Sequence, residues 1–256
     1  MHPLDNVRIK LDRAQEHLDA LDLELAQFLA LEPYRLETGS GHGLHVTFTP
    51  MTRIRIAHTP PSRLSLLIGD YVHNLRSALD HLVWQLSLLT KPKPKLRSEF
   101  PIFADTPVDI RGALCSKIGD VPIGAISEII EVQPCYRPDS WRPPKEHPLW
   151  AIRQLDIIDK HRQPVVAALN LMFMITHRGQ RSTLFHWAYP LNDGDPVPPN
   201  VASPLPPDAN DPQIDISPTY GVIVEESPRV AIPLADLSQL RDYALHRVLP
   251  RFTRFF

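Results

Sequence analysis

From Leu4 onward the apolar positions recur at alternating three- and four-residue steps, as Leu4, Val7, Leu11, Ala14, Leu18, Leu21, Leu25 and Phe28. That spacing predicts a long amphipathic helix with a heptad seam, closed by Pro33. Such a seam either pairs with a second copy of the chain or lies along an intramolecular bundle. The period then changes. LHVTFT (44–49) and TRIRIAH (52–58) alternate apolar and polar residues on either side of Pro50, which predicts two strands joined by a tight turn. Pro60 and Pro61 stop the sheet, Ser62 is the expected N-cap of the next helix, and KPKPK after Leu89 ends that helix. Within it Ile68, Val72, Leu75, Leu79, Leu82, Val83 and Leu86 fall on one side at about 100° per residue, and that side is the one to bury.

Shorter pieces follow. FPIF (100–103) reads as a buried turn or strand, IGAISEIIEV (123–132) as a short helix, RPDSWRPPKEHP (137–148) as a loop, and LWAIRQLDIIDKHR (149–162) as a helix interrupted by Pro164. AALNLMFMIT (167–176), STLFHWAY (182–189) and YGVIVEE (220–226) are strand-like, and IPLADLSQLRDYALHRVLPRF (232–252) is expected as a C-terminal helix. No internal repeat is found. The order argues for a single α+β domain over 1–256: a helical bundle core with an N-terminal β-hairpin and a C-terminal antiparallel sheet.

Composition changes this picture at one place. Nine of the 28 prolines lie between Pro190 and Pro218, so 190–218 is expected as an extended surface loop, neither helix nor central strand. With 43% hydrophobic and 22% charged residues the chain can build a substantial core. A net charge of −2 and a pI near 6.6 give no global basic field to draw it to nucleic acid or anionic lipid. Cys115 and Cys135 match neither a zinc knuckle nor a redox pair. The charged start and the lack of any long apolar run lead to the expectation of a soluble cytoplasmic protein with no membrane partner.

The chemistry concentrates on the central helix. Opposite its apolar side lie Asp70, His73, Asn74, Ser77, Asp80, His81 and Trp84, with Arg76 on the flank and within ion-pair reach of Asp80 one turn on. A solvated face normally carries Lys and Glu, whereas these short polar residues are poorer helix formers. Either a hydrogen-bonded network between helices or a reactive surface explains the choice. A second concentration, Asp159, Lys160, His161 and Arg162, ends the helix that starts near Leu149. There the cations oppose the negative end of the macrodipole; alternatively His161 and Arg162 complete a pocket facing His73 and His81, with Asp159 orienting an imidazole. Asp70, His73, His81 and His161 have metal-ligand chemistry, but His73 and His81 are about 12 Å apart along a regular helix, too far to share one ion. No metal and no cofactor is expected, since GxGxxG, GxxxxGK, HExxH and GxSxG are absent.

Arg76, four intervening residues and His81 give RSALDH, which resembles the R-x4-H signature of the HEPN superfamily of helical RNases and nucleotide-binding proteins. The strings GDYVHNLRSALDHLVWQL, FPIF, HPLW and LDIIDKHR also look like a group of uncharacterised bacterial proteins sharing these blocks. The first resemblance implies a metal-independent endoribonuclease acting as a homodimer on single-stranded RNA or a nucleotide. Arg76 would hold the scissile phosphate and His81 would assist proton transfer at the 2′-hydroxyl. The competing expectation is a non-enzymatic ligand- or partner-binding helical module in which the same polar face is a structural network.

Overall fold

A computed structural model describes residues 2–37, 53–94, 99–136, 143–161, 164–177, 180–186, 192–195, 213–226 and 229–256. The fold is α+β, as the periodicities predicted. The described residues cluster into two compact units: Met1–Asp22, Ser65–Pro164 and Asp236–Phe256 form the first, Leu23–Leu64 and Val165–Ala235 the second. Among the described residues no helix is long and apolar enough to cross a membrane.

The first unit is helical, and two of its helices continue into the second through residues 23–29 and 62–64. Helix α1 spans Asp5–Leu29 and buries the seam residues Leu4, Val7, Leu11, Ala14, Leu18, Leu21 and Phe28 within this chain, while Leu25 is half-buried. The seam is therefore covered by residues of the same chain. Helix α2 spans Ser62–Leu88, starting at Ser62 itself, and buries all seven residues assigned to its apolar side. The hydroxyl of Tyr71, fully buried, donates to the Leu237 carbonyl, and burial pushes the phenol far above its ordinary pKa. Helix α3, Ile110–Ile118, was not anticipated; the Asp109 side chain caps it by accepting from the Gly112 N–H at 2.9 Å. Helices α4 (Ile123–Glu131) and α5 (Pro148–His161) fall where the patterns placed them.

The C-terminal segment corrects a single expected helix. Ile232 and Pro233 end a strand, a 3-10 turn follows, and α6 (Leu237–Tyr243) passes through a π turn at Ala244–Val248 into the short α7 (Leu249–Phe252). Pro250 supplies the reason. Its ring collides with the carbonyl four residues back and it has no N–H to donate, so the wider turn, in which the Leu249 N–H reaches the Ala244 carbonyl, absorbs the misfit.

The second unit holds the sheets. Strand β2 (Arg53–Ile56) pairs antiparallel with β1 (Tyr34–Glu37), register Tyr34↔Ile56 to Glu37↔Arg53. The expected partner, 44–49, lies outside the described residues. The YRLE strand begins after a left-handed Glu32 and Pro33 and is too short for its alternation to stand out in the sequence. Strands β3 (Val165–His177), β4 (Gln180–His186), β5 (Gln213–Glu226) and β6 (Arg229–Pro233) form an antiparallel sheet ordered β4-β3-β5-β6. Most of the 190–218 segment lies outside the described residues, but its end, Gln213 to Pro218, belongs to β5 and pairs with β3. Proline is tolerated there because, among the described residues, β6 pairs with Gly221–Glu226 and Pro218, opposite Leu171, has a ladder on the β3 side alone.

Candidate functional site

The polar face of α2 resolves into two flanks and an exposed strip. On one flank Arg76 is buried, only 9% exposed, and Nη1 donates to the Phe100 carbonyl at 2.8 Å. One turn on, Asp80 Oδ1 accepts from the Phe100 N–H at 2.8 Å and lies 3.3 Å from Arg76 Nη2. The two side chains thus bracket both polar groups of a single peptide residue. Gln133, with 0% exposure, spans the residues that follow: Nε2 donates to the Pro101 carbonyl at 2.8 Å and Oε1 accepts from the Phe103 N–H at 2.9 Å. FPIF therefore needs no strand partner, since buried backbone groups must be paired and here side chains pair them. Burial raises the Asp80 pKa, against the pull of Arg76 and the Phe100 N–H.

His81 follows Arg76 by five residues, about 140° around the helix, and so sits on the other flank. Its pKa is lowered by burial and by the charge of Lys10 on α1, which keeps the imidazole neutral. Its Nδ1 is buried and has no hydrogen-bond partner among the described residues. Between the flanks His73 and Asp70 are exposed, and Ser77 and Trp84 are half-buried. The Asp70 carboxylate lies 4.0 Å from His17 Nδ1. Asn74 turns inward on its own helix, donating to the Asp70 carbonyl at 2.8 Å.

Asp159 lies against Gly69, where a Cβ would overlap its carboxylate, and its pKa is raised by burial and by Asp156 and Asp70. Gly69 precedes His81 by twelve residues, about 18 Å along the axis. His81 therefore lies well away from the point where Asp159 meets α2, whereas the charge of His73 pulls the Asp159 pKa down against the effect of burial. Lys160 pairs with the buried Asp156 at 2.8 Å, and His161 is exposed at the end of α5. Arg162 lies outside the described residues. Among the described residues no group of three or more His, Cys, Asp or Glu side chains is arranged to hold a metal ion.

Beside the Arg76 flank opens a cleft of about 580 Å3, lined by the acidic Glu99 and Asp156, by Arg76 and Lys160, and by two cations the sequence reading passed over, Arg153 and Lys117. Pro101, Ile102 and Ile157 give it an apolar wall. The spacing of Arg153 and Lys160, seven residues and two turns on one face of α5, was available in the sequence; Lys117 was not, because α3 had not been recognised. No protein-family model, no curated protein and no solved structure matches the chain.

Proposed function

We propose that the chain is a non-enzymatic ligand-binding helical module, with the Arg76 and Asp80 side of α2 serving as its structural network. The bracket on Phe100 carries this reading: the arginine that a phosphate-holding role would require is already bonded to a backbone carbonyl and to Asp80. Two free thiols, Cys115 and Cys135, fit a cytoplasmic setting. Purified protein incubated with single-stranded RNA in EDTA is expected to leave it intact, while Asp80→Ala lowers the melting temperature. Wild-type cleavage of the RNA would reject this reading.

One observation favours a second reading, a homodimeric HEPN-type endoribonuclease. The His81 ring is half-buried and its lowered pKa favours the uncharged imidazole, a form that can accept a proton from a ribose hydroxyl through its accessible edge, Nδ1 itself being buried. On this reading RNA or a nucleotide is the partner, and His81→Ala abolishes cleavage without changing the thermal melt. Cleavage that survives in the variant removes His81 from any mechanism.

A further inference from the structure

We propose that the cleft beside the Arg76 flank binds a phosphomonoester carrying a small apolar body, with Arg153 and Lys117 as the docking cations; this rests on the ligand-binding reading and names its ligand class. The argument starts from which charges are already used. Arg76 is committed to Phe100, Asp80 and Glu99, and Lys160 to Asp156. Neither Arg153 nor Lys117 has a carboxylate within ion-pair distance among the described residues; Lys117 Nζ sits 5.6 Å from the Phe103 ring centroid. Two uncompensated cations facing one cleft favour a dianion over a monoanion. A phosphomonoester is that dianion near neutral pH, because its second pKa is about 6.

Shape and side-chain type narrow the class. The volume falls within the range that encloses a small molecule. The guanidinium of Arg153 offers a planar fork matched to phosphate oxygens, and Lys117 adds a point charge. Pro101, Ile102 and the partly exposed Ile157 give the ester group an apolar surface. The Arg76, Asp80 and Gln133 bonds hold that wall in place, so it is formed before the ligand arrives.

The test uses the full chain, calorimetric titration and four probes: phenyl phosphate, inorganic phosphate, benzoate and benzyl alcohol. Saturable binding of phenyl phosphate is expected, tighter than inorganic phosphate and at least about tenfold tighter than benzoate, with none for benzyl alcohol. Arg153→Gln and Lys117→Gln should each weaken it about fivefold or more. Arg251→Gln, which removes a cation paired with Glu128 and Glu131 on α7, should leave it unchanged. Should Arg153→Gln lower the unliganded melt, Arg153→Lys replaces it and should still weaken binding through loss of the fork. Absence of saturable binding, equal affinity for benzoate, or equal weakening by Arg251→Gln would overturn the proposal. With RNA left intact, that failure discards this ligand class alone; RNA cleavage by the wild type discards the ligand-binding reading beneath it.

Discussion

At the scale of single residues, what separates structure from chemistry on α2 is whether a polar atom already has a partner. Arg76 and Asp80 have theirs, and removing either leaves a buried group of Phe100 unpaired, which costs about 1 to 3 kcal/mol. Asp80→Ala is therefore expected to destabilise by that amount in urea unfolding. Asp80→Asn should be milder, because the amide oxygen still accepts from the Phe100 N–H. The two positions share a target, so a double-mutant cycle of Arg76→Ala and Asp80→Ala should be non-additive by more than about 0.5 kcal/mol. Additive losses would mean that the two side chains do not act as one bracket.

At the scale of elements, the Asp159 side chain of α5 reaches α2 at Gly69. A glycine inside a helix costs about 1 kcal/mol relative to alanine, and here the missing side chain makes room for the Asp159 carboxylate. Gly69→Ala should therefore gain about 1 kcal/mol in an Asp159→Ala background and little or nothing in the wild type. A full gain in both backgrounds would show that Asp159 needs no such space. The same two helices show how far sequence carries. Every residue placed on the apolar side of α2 is buried, because a 3.6-residue period over about five turns, Ile68 to Leu86, is a strong pattern. Helix α3 was missed because Gly112 and Cys115 weaken its propensity, and the π turn was missed because Pro250 acts only once the helix around it exists. The short polar residues of α2 did announce a network. Their division into a bracket on Phe100, an imidazole facing α1 and a carboxylate docked on Gly69 was hidden, since it depends on which neighbours pack on each flank.

For the molecule as a whole these local environments combine into a pH profile whose parts oppose one another. Asp80 and Asp159 have folded pKa values raised above 3.8, so the unfolded chain releases their protons first; their contribution is present below 3.8 and lost as pH rises through the folded values. His81 behaves oppositely. Its folded pKa is depressed below 6.5, so below that pH the unfolded chain takes up a proton that the folded chain refuses, and stability rises with pH until about 6.5. Urea unfolding at a series of pH values should separate the two. Asp80→Asn removes one of the acid-side losses, so its stability relative to wild type should improve as pH climbs from 3.8 through the folded pKa of Asp80. His81→Gln removes a basic group from the titration, so the gain just below 6.5 should shrink in this variant and the wild-type advantage should narrow as pH falls. If the His81→Gln and wild-type curves stay parallel across that window, the imidazole is not held neutral by its burial and by Lys10, and the second reading of the site loses its proton acceptor.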